Sequence, residues 1–156
     1  MKRTKQRLQT LEYILSDGLS YSWFRVEDYD GDACTATVLA DTGEYDDDGE
    51  QIFKKHEIGP GDVARGLRLY REWLEGKREA FKGEWGYQAA DEVRAGRIAS
   101  VEDFDPVAYR ERTGVRESYA WQTVIFDRTN GDEGDYDANT ADNVIQFAVF
   151  GEAIFG

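Results

Sequence analysis

The residues with the most chemical potential in this chain are carboxylates, concentrated in one stretch. Between Glu27 and Glu50 there are ten Asp and Glu residues and no Lys or Arg. Clustered carboxylates can coordinate a hard cation, act as acid and base in hydrolysis, or present negative charge to a basic partner. The candidate binding residues in this stretch are Asp28, Asp30, Asp32, Asp41, Glu44, Asp46, Asp47, Asp48 and Glu50.

The spacing of the acidic residues does not fit a calcium-binding loop of the EF-hand type. Such a loop needs oxygen ligands at its first, third and fifth positions, Gly at the sixth and Glu at the twelfth. A loop that starts at Asp28 has Ala33 and Leu39 at the sixth and twelfth positions, and one that starts at Asp127 has Asp132 at the sixth. We therefore predict no metal site and no cofactor, and interpret these aspartates as formers of solvated turns.

Nucleophilic catalysis would depend on Cys34 and His56, the single cysteine and the single histidine. They could act as a pair only if the fold placed them together, and a strand cysteine is more typical of a small buried residue. The chain contains no G-x-S-x-G, P-loop or G-x-G-x-x-G motif. Carboxylate pairs arise by chance in so acidic a chain, so the sequence predicts no catalytic residues.

The acidic stretch lies on predicted strands and turns. A β-hairpin is predicted from Tyr21 to Ala40, with Asp30-Gly31 as a two-residue type I′ turn. This register places Trp23 opposite Val38 and puts Cys34 in the middle of the second strand. A polar connection, residues 41–50, then leads to a third strand at residues 51–58, which completes a small antiparallel sheet.

Helices are predicted around these strands. Apolar residues at helical spacing indicate a helix at residues 2–16, ended by Gly18, and one at residues 63–75, with Asp62 as its N-cap and Gly76 as its stop. The core face of the second helix is Val63, Leu67, Tyr70 and Leu74. Weaker signals predict short helices at residues 84–95 and 105–112.

The C-terminal third is the most apolar part of the chain. A helix is predicted from Glu117 up to Asn130-Gly131, which ends it, with a buried strand as the alternative. Asp137 or Asn139 caps the last helix, which Gly151 ends. Its buried stripe is Ala141, Val144, Ile145, Ala148 and Val149, widened by Phe147 and Phe150.

Length and composition predict one domain over residues 1–156. We expect an α+β fold, in which a three-stranded antiparallel sheet packs against several helices and the C-terminal helix is central. No apolar run approaches the roughly 18–20 residues of a membrane span. With a single cysteine and no signal-peptide pattern, the sequence favours the cytoplasm.

The net charge restricts the class of partner. It is −13, from 32 acidic and 19 basic residues, which argues against direct binding of nucleic acid and leaves the oligomeric state open. The charge is compatible with mere solubility, and also with imitation of a nucleic-acid surface toward a basic groove of another protein.

Three blocks resemble a set of small acidic proteins encoded by phages and prophages of actinobacteria. They are YSWFRVEDYD (21–30), DVARGL (62–67) and DYDANTADNVIQFAVFGE (135–152). The resemblance implies a phage-encoded protein acting inside the host cell, and it implies no active site. We therefore expect a non-enzymatic protein that binds a host protein through an acidic surface. A virion structural or assembly protein is the alternative, and a small carboxylate hydrolase is the least favoured.

Overall fold

The computed structural model describes residues 2–20, 23–78, 96–114 and 119–155. The fold is α+β, with a three-stranded antiparallel sheet of order β1-β2-β3 beside a group of helices. The strands are β1 (Phe24–Asp30), β2 (Thr35–Tyr45) and β3 (Gln51–Ile58). The helices are α1 (Lys5–Leu19), α2 (Pro60–Leu74), α3 (Pro106–Thr113), α4 (Tyr119–Arg128) and α5 (Ala138–Phe150), with a 3-10 turn at Val101–Asp103.

Helix α5 is central, because α1 and α2 both pack on it through glycines. A Cβ added at Gly66 of α2 would lie 2.4 Å from the carbonyl oxygen of Val144, and one added at Gly18 of α1 would lie 2.6 Å from Cγ1 of Ile145. Gly18 is therefore a packing residue. The prediction that it ends the first helix is wrong, since α1 continues to Leu19.

The buried face of α5 agrees with the predicted stripe. The Asp137 carboxylate caps the helix by accepting the N–H of Thr140 at 2.8 Å, and Gly151 ends it at φ 76°. Val149 is only half-buried. The fully or almost fully buried apolar side chains of this helix are Ala141, Val144, Ile145, Phe147 and Ala148.

The first hairpin differs from its predicted form. Its loop has four residues, Gly31 to Cys34, and the register pairs Val26 with Val38 instead of Trp23 with Val38. The Asp30 carboxylate accepts the N–H groups of Asp32 and Ala33, and Cys34 adopts φ 56°. These side-chain bonds stabilise a longer loop than the Asp-Gly pair alone predicts. Cys34 therefore lies in the loop and not within a strand.

Strand β3 has the predicted bounds, whereas β2 is longer than predicted. Half of the polar connection predicted at residues 41–50 is strand, since β2 continues to Tyr45. Pairing shifts between Asp41 and Tyr45, around Gly43 at φ 76°. The Thr42 hydroxyl donates to the carbonyl oxygen of Ile52 at 2.7 Å and holds the two strands together across this irregularity.

Helix α2 begins earlier than predicted. Gly59 is the N-cap, and Pro60 occupies the first helical position, where its missing N–H is harmless. Asp62 is the third helical residue, and its carboxylate accepts the N–H of Gly59 at 2.8 Å. It therefore stabilises the helix start from inside the helix. The predicted core positions are buried: Val63, Leu67, Tyr70 and Leu74.

The remaining helical predictions are confirmed wherever the structure describes the residues concerned. Asp105 caps α3 and Pro106 opens it, as predicted. Residues 119–128 form a helix, so the alternative strand is wrong, and Asn130 and Gly131 follow it with φ 49° and 82°. The helix predicted at 84–95 lies outside the described residues. Among the helices that are described, none has the length and apolar composition needed to cross a membrane.

Candidate functional site

The fold separates the predicted acidic surface into two groups. Because the strands are antiparallel, the β1–β2 loop and the β2–β3 turn lie at opposite ends of β2. That strand has 11 residues, so at ~3.3 Å per residue the loop and the turn are roughly 30 Å apart, while Asp28, which pairs with Thr37, is roughly 13 Å along the strand from Asp41. The first group contains Asp28, Asp30 and Asp32. The second contains Asp41, Glu44, Asp46, Asp47, Asp48 and Glu50.

The second group belongs to a hairpin that extends beyond the core. Every residue from Thr42 to Lys55 is exposed, although strand side chains alternate between the two faces. The last fully buried residue of β2 is Ala40, and β3 regains contact with the core only at His56. We call residues 42–55 the acidic arm. A two-stranded segment exposed on both faces has no core of its own to explain its apolar residues.

Two carboxylates of this region stabilise its backbone turns by accepting N–H groups. Oδ1 of Asp46 accepts the N–H groups of Asp48 and Glu50, each at 2.9 Å, and so closes the turn. Oδ1 of Asp41, at the base of the arm, accepts the N–H of Gly43 at 2.8 Å beside the irregularity in β2. Asp41 and Asp46 are therefore turn formers, as the sequence predicts for aspartates in such a segment.

The other carboxylates of the arm do not take part in its structure. They lie within seven residues of chain, so folding holds like charges close together. Lys55, at the base of the arm, is directed away from them and pairs with Glu27 of β1 at 3.7 Å. The arm carboxylates that have no hydrogen bond or ion pair with any described residue are Glu44, Asp47, Asp48 and Glu50.

Large apolar side chains are exposed among these charges. Tyr45 is 63% exposed, Ile52 38% and Phe53 41%. The sequence prediction was limited to carboxylates and missed these residues. The signal that could have identified them is an apolar pair, Ile52-Phe53, in a strand that follows a strongly acidic turn and has no matching apolar residues across from it.

The first acidic group borders a recess of about 440 Å³ beside the start of α2. Asp28 lines it together with Glu57 and Asp62, which the sequence prediction did not include because they are remote from Asp28 in the chain. Asp62 already pairs with Arg65 at 3.3 Å and with the Gly59 N–H. Within the described residues, no three His, Cys, Asp or Glu side chains have an arrangement that would hold a metal ion.

Cys34 and His56 do not form a pair. Cys34 precedes β2, whereas His56 on β3 is opposite Val38, four positions and roughly 13 Å along the strand. Burial raises the pKa of the Cys34 thiol to about 11, which keeps it protonated and poorly nucleophilic at neutral pH. Burial lowers the pKa of His56, with a smaller contribution from Lys54. His56 packs edge-on against Phe150, with ring centroids 6.0 Å apart.

Comparisons of the chain with protein-family models, with curated proteins and with solved structures find no match. A functional assignment must therefore come from the geometry of the molecule itself. Both acidic groups have exposed apolar side chains beside them, but the arm has four carboxylates without a partner among the described residues, whereas the first group has one, Asp32.

Proposed function

We propose that this protein is a non-enzymatic binding protein whose acidic arm engages a basic surface of another protein. The observation that carries this proposal is the composition of the arm. Both of its faces are exposed, four of its carboxylates have no partner among the described residues, and three large apolar side chains are exposed on the same arm. A solvated loop accounts for the charges, but it does not account for the exposed Tyr45, Ile52 and Phe53.

The arm combines two kinds of residue that make different contributions to protein interfaces. Aromatic and aliphatic side chains contribute most of the affinity once they are desolvated, and Tyr is enriched among such residues. Charges around them accelerate association with a partner of opposite sign and exclude partners of the same sign. The arm presents a Tyr, a Phe and an Ile within an acidic border, so it fits a groove that is apolar in its centre and rich in Lys and Arg at its margin.

The resemblance to phage-encoded proteins points to the source of this partner. We propose a host protein inside the infected cell, of the kind that handles nucleic acid or acts in defence. Such proteins carry Lys and Arg clusters that neutralise phosphates. An acidic arm seated in a phosphate-binding groove would act as a nucleic-acid mimic and compete with the natural ligand.

Capture of partners from host lysate tests the proposal when it is done with two matched variants. The arm variant carries Glu44→Gln, Asp47→Asn, Asp48→Asn and Glu50→Gln. The control variant neutralises four exposed acids elsewhere that likewise have no side-chain partner among the described residues: Asp32→Asn, Glu57→Gln, Glu111→Gln and Glu133→Gln. Both variants change the net charge by the same amount.

The proposal predicts a host protein that is recovered with the wild type and the control variant and is lost with the arm variant. Recovery should also fall as salt is added, because exposed charges are screened beyond about 8–10 Å at physiological salt. Equal recovery by the two variants would assign any binding to net charge alone and would contradict a role for the arm. Competition by duplex DNA for the captured protein would support the mimicry form of the proposal.

A further inference from the structure

The molecule contains a buried carboxyl group outside the acidic arm. Asp142, in the first half of α5, is only 1% exposed, and it lies in the most apolar of the described helices. Its Oδ2 accepts a hydrogen bond from Nε2 of Gln146 at 2.8 Å, and Gln146 is itself completely buried. The sequence signal for this pair is two polar residues four positions apart on a helix that is otherwise buried and largely apolar.

Gln146 joins Asp142 to the segment that follows α5. Its Oε1 accepts the N–H groups of Ile154 and Phe155, each at 2.8 Å, and its Nε2 also donates to the carbonyl oxygen of Phe155 at 2.9 Å. One side chain thus binds three backbone groups of residues 153–155, which we call the strap. The strap follows Gly151, whose φ of 76° turns the chain back along α5.

Aromatic rings complete the attachment of the strap. The Phe155 ring stacks on Trp23 with centroids 5.3 Å apart and meets Phe150 edge-on at 6.1 Å. Ala153 is buried, but Ile154 is 45% exposed. The strap therefore covers Gln146, the hydrogen-bond partner of Asp142, with a short segment that has solvent on its other side.

The surroundings of Asp142 disfavour its ionised form. Burial raises its pKa to about 7, although the Gln146 amide and the Trp23 side chain act in the opposite direction, and its Oδ1 has no hydrogen-bond partner among the described residues. The elements packed against α5 contribute other charged or titratable groups nearby. Arg65 of α2 bonds to the carbonyl oxygen of Ala148, His56 of β3 meets Phe150, and Asp17 of α1 accepts from the Tyr136 hydroxyl. Among the described residues, none of these is a cation that compensates Asp142.

We propose that the strap is a latch controlled by a proton on Asp142: it is closed while this carboxyl is protonated and released when the carboxyl ionises. An ionised carboxylate in an apolar site requires either a cation or water. Lifting the strap breaks its hydrogen bonds to Gln146 and opens the polar pair on α5 to water from that side. Release also uncovers the rings of Trp23 and Phe150.

A pH titration followed by NMR tests the latch. In the wild type, the backbone amides of Ile154 and Phe155 and the Trp23 indole should shift together between pH 5 and pH 9, with one midpoint near pH 7. Fast-timescale order in the strap should fall above that midpoint. Asp142→Asn, which has no ionisable group, should keep the strap ordered over the whole range. A wild-type strap that stays ordered to pH 9 would overturn the proposal, as would the same titration in Asp142→Asn.

Two further measurements separate the latch from other causes. The ¹³C shift of the Asp142 carboxyl in the wild type reports its ionisation directly, and a carboxyl that titrates without any response from the strap also overturns the proposal. His56→Gln controls for the histidine that contacts Phe150, and it should leave the midpoint unchanged. Amides of Leu11 and Val63, in the core, should show no transition. If they unfold together with the strap, the event is global and no latch exists.

Discussion

At the residue scale, two glycines set the distance between α5 and its neighbours. Gly66→Ala would push a methyl group to within 2.4 Å of a backbone oxygen, where no side chain can give way. We expect a loss of about 2–3 kcal/mol in the free energy of unfolding, despite the better helix propensity of alanine. Urea denaturation measures the loss. Gly61→Ala in the same helix is the control, because its Cβ would meet only the end of the Arg3 side chain at 3.5 Å, and it should be neutral or slightly stabilising.

Asp142 makes stability depend on pH in an unusual direction for a carboxyl group. Its pKa is about 7 in the folded protein against an ordinary value of 3.8, so the unfolded chain loses this proton first. The contribution of Asp142 is fully present below about pH 4 and is lost as the pH rises through about 7. The loss is at most on the order of 4 kcal/mol, because one pKa unit corresponds to about 1.4 kcal/mol.

Asp142→Asn should remove this part of the pH dependence. Urea denaturation of both proteins at pH 5 and at pH 8 gives the comparison. From pH 5 to pH 8, the free energy of unfolding should fall more in the wild type than in Asp142→Asn. Parallel behaviour of the two proteins would show that Asp142 ionises in the folded state as easily as in the unfolded chain.

At the element scale, the carboxylates of the arm have two roles. Asp46 stabilises the turn, and the other carboxylates are available to a partner. Asp46→Ala removes the acceptor for the N–H groups of Asp48 and Glu50, whereas Asp46→Asn keeps a side-chain oxygen in that position. We expect Asp46→Ala to disorder the turn at a local cost of about 1 kcal/mol. Amide shifts of residues 46–50 should change widely in Asp46→Ala and little in Asp46→Asn. Similar changes in both would mean that the charge itself holds the turn.

The exposed apolar residues of the arm should affect binding kinetics differently from its charges. Tyr45→Ser and Phe53→Ser should each raise the dissociation rate of the captured partner about tenfold, which corresponds to about 1.4 kcal/mol, because desolvated anchors control residence time. Their association rates should stay near that of the wild type. Surface-based kinetics with the purified partner measure both rates. Val107→Ser, at an equally exposed apolar residue on α3, is the matched control and should change neither.

The same elements show how far the sequence could predict this fold. The core face of α2 was predicted correctly because apolar residues at helical spacing continue along the helix, and the bounds of β3 were predicted correctly because polar turn residues flank the strand on both sides. The first hairpin was wrong because the Asp30 side chain stabilises a four-residue loop that competes with the two-residue Asp-Gly turn. Gly18 was misread because a glycine that ends a helix and a glycine that admits a neighbouring helix are identical in sequence. Only the packing partner, α5, distinguishes them.

The acidic surface was only partly predictable for a similar reason. The sequence places nine carboxylates close together along the chain, but the antiparallel course of β2 moves two groups of them to opposite ends of the sheet. Glu57 and Asp62 join the first group from remote positions. The apolar pair Ile52-Phe53 is a local signal for these residues, but their exposure depends on where the helices stop covering the sheet, which is set by tertiary packing.

At the scale of the whole molecule, the helices around α5 form the core and the sheet carries an acidic arm away from it. The net charge of −13 acts over the entire surface, whereas the arm concentrates three apolar side chains and four carboxylates that have no partner in the described part of the chain. General negative charge and a specific arm make different predictions for binding. The first depends only on how many charges are removed, and the second depends on where they are removed.

The most direct measurement of the central claim is the affinity of the captured host partner at 50, 150 and 500 mM salt. It is made with the wild type, the arm variant and the control variant defined above. We predict that the arm variant binds at least tenfold more weakly at 50 mM salt and has a clearly shallower dependence on salt. The control variant should remain within about twofold of the wild type at each salt concentration. Arm and control variants with equal affinities and equal salt slopes would contradict the account, because binding would then follow net charge and not the arm.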